Sequence, residues 1–188
     1  MAGHRFNPAK ADKLISKERL EALPPEKVLS ALDITKGEVV ADLGAGNGFF
    51  TLPIAEQTGK TVYAVDIEPK MLELLQERAK EAAISNITYI ESDLENTQIT
   101  ADSTDKVLIG FVMHEVPNRQ NVLQEVERIL TSNGVALLLE WEAVESEMGP
   151  PLHERLASNE FKAEVEAYGY RAEVVHFNDA MYGLKVTF

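Results

Sequence analysis

Short apolar segments alternate with amphipathic helical segments along most of this chain, and this alternation limits its fold more than any other feature. Apolar, β-branched segments predict strands at 38–43, 60–67, 86–93, 105–114 and 134–141. Apolar residues at helical spacing predict helices at 47–59, 68–82 and 119–134. Strands that alternate with helices form a parallel sheet covered by helices on both faces. The sequence therefore predicts an α/β protein.

The two ends of the chain extend this pattern. Residues 9–32 are predicted to be helical in two pieces, with Leu14, Ile15 and Leu20 on one face of the first piece. Beyond the fifth strand, a polar segment leads to a helix predicted at roughly 156–168. The residues after this helix predict two final strands joined by a turn, which brings the expected number of strands to seven.

Length and composition are those of one globular domain. The chain has 188 residues, of which 45% are hydrophobic and 26% charged, and this is enough to bury a core without disulfides or metals. We expect a single domain over 1–188, in which residues 1–32 form a helical cover and residues 33–188 form the core. No internal repeat or linker interrupts it.

The charge and composition of the chain disfavour several classes of partner and site. A formal charge of −13 disfavours nucleic acids and anionic membranes, since both are bound through lysine and arginine. The chain has no cysteine, which excludes disulfides, thiolate metal sites and a cysteine nucleophile. No apolar segment approaches membrane-spanning length, and the first residues lack the apolar core of a secretory signal. We therefore expect a cytoplasmic protein that binds neither nucleic acid nor membrane.

Polar residues close the five predicted strands in succession. They are Asp42, Asp66, Asp93, His114 and Glu140. The carboxyl ends of parallel strands meet at one edge of the sheet, where ligands of such folds bind. Any one of these residues is equally consistent with a solvated strand end, but five along one edge favour a binding site.

A glycine-rich turn follows the first strand, and its spacing separates two classes of ligand. Gly44, Gly46 and Gly48 leave the backbone bare at the start of a helix, which suits close approach by a nucleotide-like ligand. The dinucleotide fingerprint requires glycine at position 49, which is Phe49. The carboxylate of Asp42 would repel a pyrophosphate but attract a ligand that carries an ammonium and a sulfonium. The turn thus favours a cationic ligand, although a tight turn without a ligand remains the alternative.

Two further acids support the binding of an adenosine. Asp66 lies 20 residues after Gly46, where a carboxylate can accept hydrogen bonds from both ribose hydroxyls. Dinucleotide folds place an acid at a similar position, so Asp66 does not separate the two ligand classes. Asp93 can accept from the adenine amino group while the backbone N–H of Leu94 donates to the ring. The alternative role of Asp93 is to cap a turn.

Four segments resemble the successive motifs of class I S-adenosylmethionine-dependent methyltransferases. They are "DLGAGNGFF", "AVDIEP", "ESDLEN" and "DKVLIGFVMHEV". The resemblance spans residues 25–188 and is closest to the small-molecule branch that includes the ubiquinone/menaquinone-biosynthesis methyltransferases. It implies a Rossmann-like, doubly wound and mostly parallel seven-stranded sheet with an antiparallel last strand and helices on both faces. It also implies that the cofactor is S-adenosylmethionine and the product S-adenosylhomocysteine.

The resemblance also assigns roles to individual residues of the expected cofactor site. It implies Asp42 near the methionine amino group, Gly44, Gly46 and Gly48 beneath the methionine and ribose, Asp66 at the ribose hydroxyls, Ile67 and Met71 beside the adenine, Asp93 and Leu94 at the adenine edge, and Phe111 and Val112 beside the sulfonium.

The chemistry of methyl transfer leaves few catalytic requirements. The reaction is an in-line displacement in which alignment can supply most of the rate gain, so no base is strictly required. His114 is the candidate base or hydrogen-bond donor, because its ordinary pKa suits neutral pH; its alternative role is to cap the strand. The candidates for the acceptor pocket are Glu115, Glu140 and Trp141, although the sequence favours a plain core or rim position for Trp141. We expect no metal, because the "HEVPN" segment lacks the second histidine of a zinc motif at Asn118.

Two sequence features that are missing narrow the range of methyl acceptors. The place of the N/D-P-P-Y/F motif of DNA and glutamine methyltransferases is taken by "FVMHEVP", and the cysteines of arsenic-methylating relatives are absent. A small organic acceptor, methylated at oxygen, carbon or nitrogen, remains. The segment 147–156 is a lid in one interpretation and an ordinary loop in the other. A dinucleotide-dependent (NAD-type) oxidoreductase and a non-catalytic adenosylmethionine-binding protein are the alternative functions, and the sequence leaves open whether the chain forms a homodimer.

Overall fold

The computed structural model describes residues 16–188. Its helices are α1 (Lys17–Ala22), α2 (Pro25–Leu32), α3 (Thr51–Thr58), α4 (Pro69–Glu81), α5 (Arg119–Ile129) and α6 (Ser158–Ala167). Its strands are β1 (Val40–Leu43), β2 (Val62–Asp66), β3 (Ile87–Glu91), β4 (Thr104–Gly110), β5 (Leu130–Trp141), β6 (Arg171–Asn178) and β7 (Met181–Thr187). Within residues 16–188 no helix has the length and apolarity needed to cross a membrane.

The seven strands form one sheet in the order β3-β2-β1-β4-β5-β7-β6. Strands β1 to β5 pair in parallel, and β7 pairs antiparallel with both β5 and β6. The order reverses direction at β1, between β2 and β4, which is the switch point at which such sheets bind ligands. The predicted fold class, with its antiparallel last strand, is confirmed.

Side chains of successive strand residues point to opposite faces of the sheet, and each face buries its own core. In β4, Val107 and Ile109 pack into the cluster that includes residues of α5 and α6, whereas Leu108 packs into the cluster that includes residues of α2 and α3. Ala64 of β2 packs with Leu75 of α4. Because both faces are covered, the central strand β1 is buried along its whole length, and the carboxyl edge of the sheet is the place left for a site.

The N-terminal helical prediction falls partly on the described residues. Its portion from 9 to 15, including Leu14 and Ile15, lies outside them. The remainder forms α1 and α2, which are divided at Leu23 and Pro24. Leu20, placed on the apolar face by sequence, is 48% exposed, while Leu23 is buried beneath α1 and α2.

Several predicted boundaries were wrong, and the helix predicted at 47–59 begins only at Thr51. Strand β4 ends at Gly110 rather than at 114, because Phe111 has φ of +60° and turns the chain out of the sheet. Strand β3 ends at Glu91, so Asp93 lies in the loop beyond it. Helix α5 ends at 129 and β5 begins directly at Leu130, which already pairs with Thr104 of β4. His114 and Asp93 therefore do not close strands, although both follow them closely.

Candidate functional site

The glycine-rich turn after β1 is packed too tightly for side chains. Gly44, Gly46 and Gly48 all have positive φ, at +81°, +54° and +85°, a region that costs other residues about 1–2 kcal/mol. A Cβ on Gly44 would lie 2.6 Å from Cγ2 of Val112, and one on Gly48 would lie 2.1 Å from Cδ1 of Leu75. The N–H of Gly44 donates to the Val65 carbonyl at 2.8 Å, which draws the turn over the end of β2. The turn is thus a close-packed backbone surface at the switch point.

Asp66 fastens this turn to the end of β2. Its Oδ2 accepts the N–H of Gly46 at 2.7 Å, and its Oδ1 accepts the N–H of Glu68 at 2.9 Å. Burial raises the pKa of Asp66, while these two hydrogen bonds oppose the rise. A carboxylate has about four acceptor positions, and the backbone N–H groups of Gly46, Glu68 and Ile67 bond to Asp66. Asp66 therefore retains acceptor capacity for a ligand hydroxyl after holding the turn.

Asp42 is a buried carboxyl group below the same turn. It is 2% exposed, and its Oδ2 accepts the hydroxyl of Thr51 at 2.6 Å. Burial raises its pKa to about 7, the Thr51 hydrogen bond opposes this, and the charge of Asp66 adds to it. No lysine or arginine side chain within residues 16–188 forms an ion pair with Asp42. A cationic ligand would supply the positive partner that no described side chain provides for this carboxylate.

The residues expected around an adenine differ in their exposure and in their contacts. Met71 is buried and Ile67 is 45% exposed beside the end of β2. Leu94 is nearly buried in the core on the α5 side. Asp93 is exposed, and its Oδ1 accepts the N–H groups of Glu95 and Asn96 at 2.9 and 3.1 Å, which is the geometry of a turn cap. The described contacts of Asp93 therefore match its structural alternative, and a role at an adenine edge stays a prediction.

Aromatic and apolar side chains form a wall where β4 and β5 end. The ring of Phe111 lies 5.1 Å from the ring of Trp141, centroid to centroid. The next residue, Val112, is the one that approaches Gly44. Trp141 is 5% exposed and belongs to the core on the α2 and α3 side. This wall joins the glycine-rich turn to the ends of β4 and β5.

A buried histidine–glutamate pair stands next to this wall. Nδ1 of His114 lies 2.9 Å from Oε2 and 3.1 Å from Oε1 of Glu140, and the side chains are 6% and 0% exposed. Glu140 also accepts the backbone N–H of His114 at 3.0 Å and of Trp141 at 3.2 Å. Glu115 lies on the other side of the ring, 3.8 Å from Nε2. The ring is therefore held in one orientation from two sides.

The charges around His114 alter its protonation. Burial alone would lower the pKa of His114, but the hydrogen bond and charge of Glu140, followed by the charges of Glu115 and Glu154, raise it above the usual value. When the ring is neutral and Nδ1–H donates to Glu140, Nε2 carries the lone pair. The pair thus has the arrangement of a general base with an orienting carboxylate. The sequence named both residues but not their pairing.

The structure adds one residue that sequence reasoning missed. The guanidinium of Arg19, in α1, lies 4.9 Å from the centroid of the Phe111 ring and 5.2 Å from that of Phe49. Burial lowers its pKa to about 10, so it remains a cation at neutral pH. The sequence signal available was weak, because Arg19 neighbours Leu20 and the helical stripe placed Leu20, not Arg19, on the inner face.

The segment 147–156 is built around Arg155. Its guanidinium donates to the carbonyls of Pro150 and Met148 at 2.9 and 2.8 Å, and lies 5.7 Å from the centroid of the Trp141 ring. A Cβ on Gly149 would lie 2.7 Å from Cδ2 of Trp141. The segment is therefore packed against the outer side of the aromatic wall, and its function as a lid stays a prediction.

Comparison with known proteins gave concordant matches. A family model described as a methyltransferase domain matches residues 41–138, slightly more than half of the chain. Demethylmenaquinone methyltransferase of Staphylococcus epidermidis is 29% identical over 144 residues, which are 76% of this chain and 57% of that protein. Ubiquinone/menaquinone biosynthesis C-methyltransferase UbiE of Rhizobium johnstonii is 32% identical over 136 residues, which are 70% of this chain and 51% of that protein. This chain spans about half the length of the curated relatives it matches.

A solved structure matches over nearly the whole chain. The crystal structure of a SAM dependent methyltransferase from Aquifex aeolicus has a TM-score of 0.91 and 26% sequence identity, and the match covers 97% of this chain and 98% of that one.

Proposed function

This chain belongs to the methyltransferase-domain family, and on that premise we propose that it transfers a methyl group from S-adenosylmethionine to a ring carbon of a small quinol-type acceptor. The observation that carries the cofactor assignment is the buried carboxyl group of Asp42, which has no cationic partner within residues 16–188 and lies below a bare glycine turn. The names of the relatives, demethylmenaquinone and ubiquinone/menaquinone C-methyltransferases, support the acceptor class.

The residues at the switch point fit this cofactor. Asp42 would pair with the ammonium of its methionine part, and Asp66 would accept hydrogen bonds from its ribose hydroxyls while it holds Gly46. Ile67 and Met71 would flank the adenine, and Phe111 and Val112 would border the sulfonium. A pyrophosphate would instead place charge next to two carboxyl groups, which disfavours a dinucleotide. When bound, S-adenosylmethionine supplies an electrophilic methyl group.

The histidine–glutamate pair would prepare the acceptor. Nε2 of His114 takes the proton of an acceptor hydroxyl, and Glu140 stabilises the imidazolium through Nδ1. The resulting oxyanion makes the neighbouring ring carbon nucleophilic. This carbon would then take the methyl group as the sulfur–methyl bond breaks. Loss of the proton from the same ring carbon restores the aromatic ring as a phenolate, which takes back the proton held by His114. One proton is released to water for each methyl group transferred.

The described helices before residue 33 would act as a cover for the core, within one domain. Leu23 is 1% exposed and packs into the core on the α2 and α3 side. The carbonyl of Ala22 accepts the side-chain amide of Asn178 at 3.0 Å. Arg19 lies on Phe49 and Phe111 of the site. These contacts support closure of the N-terminal segment over the carboxyl edge of the sheet.

Cofactor binding tests the assignment directly. S-adenosylhomocysteine at 100 times its dissociation constant should stabilise the protein by about 2.7 kcal/mol, and NAD should have no effect. Asp66→Asn should weaken the binding roughly 10- to 100-fold, since charge-assisted hydrogen bonds to the ribose contribute about 1.5–3 kcal/mol. Asp102→Asn, at an exposed turn, is the control and should bind normally. Stabilisation by NAD alone would overturn the assignment.

Methyl transfer tests the acceptor. With S-adenosylmethionine labelled in its methyl group and a naphthoquinol offered in its reduced form, the label should appear on a ring carbon of the naphthoquinol. The oxidised naphthoquinone is the control and should remain unlabelled, because it has no hydroxyl proton for His114 to take. Label on oxygen, or equal labelling of the quinone, would contradict the proposed chemistry.

A further inference from the structure

Arg19 is a cation held between aromatic rings. Its guanidinium lies 4.9 Å from the Phe111 centroid and 5.2 Å from the Phe49 centroid, distances at which a ring face attracts a cation. Phe49 follows the glycine-rich turn, and Phe111 follows β4. The guanidinium thus bridges the two segments that frame the proposed site.

This cation has no anionic partner in the described part of the chain. Arg119 donates to both carboxylate oxygens of Glu164, at 2.9 Å each, and Arg128 bonds to Glu125. Arg155 is satisfied by carbonyls of its own loop. Within residues 16–188, by contrast, the guanidinium of Arg19 forms neither an ion pair nor a hydrogen bond. A part-buried cation without an anion is costly, and here it is found in a chain of formal charge −13.

Arg19 contacts the aromatic wall that runs from the glycine-rich turn toward the histidine–glutamate pair. Its ring contact, Phe111, packs against Trp141 at the end of β5, and Glu140 next to Trp141 holds His114. The site therefore has an unpaired planar cation on the aromatic wall, between the glycine-rich turn and the strand end that holds the proposed base.

We infer that Arg19 binds an anionic oxygen carried by the aromatic ring of the acceptor, either a phenolate or a ring carboxylate. This inference rests on the proposed function and specifies the acceptor within it. A guanidinium offers several donors in one plane, which suits an oxyanion lying in the plane of a ring. A phenolate bound in this way shares its charge with the ring carbon that accepts the methyl group. Without this cation, the surplus of acidic groups would disfavour binding of any anionic acceptor.

Three probes of nearly equal size separate charge from shape. They are 4-nitrophenolate, 4-nitrobenzoate and the neutral 4-nitrobenzamide, titrated calorimetrically at pH 8 into the protein saturated with S-adenosylhomocysteine. At least one anion should bind roughly 10- to 100-fold more tightly than the amide, as expected for a charge-assisted contact. The tighter of the two anions identifies the phenolate or the carboxylate as the preferred group.

The matched variants are Arg19→Met and Lys17→Gln. Methionine keeps an apolar side chain on the two rings without the charge, so the preference for anions should vanish while the melting temperature stays close to that of the wild type. Lys17 lies on the same helix with its side chain 84% exposed. Lys17→Gln removes an equal charge outside the site, so this variant should retain the preference for anions. Arg19→Lys restores the charge without the planar fork and should recover part of the preference.

Two outcomes overturn the inference. One is an amide that binds as tightly as both anions in the wild type, and the other is an anion preference that survives in Arg19→Met. A purely structural Arg19 would give the second result together with a lowered melting temperature. The initial titration with S-adenosylhomocysteine tests the proposed function separately: if it binds and the anion preference is absent, only the role of Arg19 fails.

Discussion

Replacing Asp42 by asparagine should stabilise the protein in a way that depends on pH. Asparagine has nearly the same shape as aspartate and can still accept the hydroxyl of Thr51, which bonds to Oδ2 at 2.6 Å. It cannot ionise. In the wild type, burial and then the charge of Asp66 raise the pKa of Asp42 from 3.8 to about 7 in the folded state. The variant therefore removes a carboxyl group that resists ionisation only when the protein is folded.

The magnitude follows from the difference between the two pKa values. The unfolded chain releases this proton near pH 3.8 and the folded chain near pH 7, so between these values the folded state binds more protons and stability falls as pH rises. Three pKa units correspond to about 4 kcal/mol, of which about 3 kcal/mol is lost between pH 5 and pH 8.5. The free energy of unfolding of Asp42→Asn relative to the wild type should rise by this amount across that range. Costs that do not depend on pH, such as an unpaired amide N–H, cancel in this comparison.

Urea unfolding of both proteins at intervals from pH 5 to pH 8.5, without ligand, measures this difference. Asp102→Asn, at an exposed turn, controls for the loss of one carboxylate. A second series at pH 8.5 with S-adenosylhomocysteine should stabilise the wild type by about 2.7 kcal/mol at 100 times its dissociation constant and the variant by much less. A difference between variant and wild type that is constant with pH would refute the buried-charge argument. Equal stabilisation of both by the ligand would refute the role of Asp42 in binding its ammonium.

Three further outcomes are expected. Burial lowers the pKa of His114, but the hydrogen bond and charge of Glu140 together with the charges of Glu115 and Glu154 raise it above the usual value. Glu140→Gln should therefore shift the rise of kcat with pH to lower pH; an unmoved profile would argue against His114 as the base. Gly44→Ala should lower the free energy of unfolding in urea by at least about 1 kcal/mol more than Gly59→Ala, which is the usual cost of overpacking. Both residues have positive φ, but only at Gly44 would the added methyl group meet another side chain within 4 Å; equal losses would contradict this. Arg155→Gln should make the loop at 144–152 sensitive to protease and shift the emission of the single tryptophan to longer wavelength; resistance to protease would show that the loop does not depend on this side chain.

The sheet was predictable because its pattern is local. The central parallel strands are buried on both faces and so appear as short apolar segments, and each covering helix shows its apolar stripe. The order of elements followed from these patterns alone. The exact ends of strands did not, because they depend on tertiary contacts: Phe111 leaves the sheet through a positive φ, and Leu130 enters it because it pairs with Thr104.

The location of a candidate site residue was predictable where it depends only on the end of one strand. Asp42 and Asp66 could be named because the turn beside them is bare of side chains. The pairing of His114 with Glu140 needed the register of β4 against β5, which aligns Gly110 with Leu139, and the sequence alone does not give that register. Arg19 was missed because α1 has only six residues. Its tertiary contacts, rather than its own apolar pattern, determine which side of so short a helix faces the core.

Strand β7 has a consequence for the order in which the sheet can assemble. It lies between β5 and β6 and pairs with both, so β6 is joined to the rest of the sheet only through it. A ribosome makes β6 first, yet β6 has no edge to join until the residues after it have taken their place. Shortening the chain before Met181 would therefore remove β7 and also leave β6 without a partner. The apolar edge of β5 would then be open to pairing with other chains.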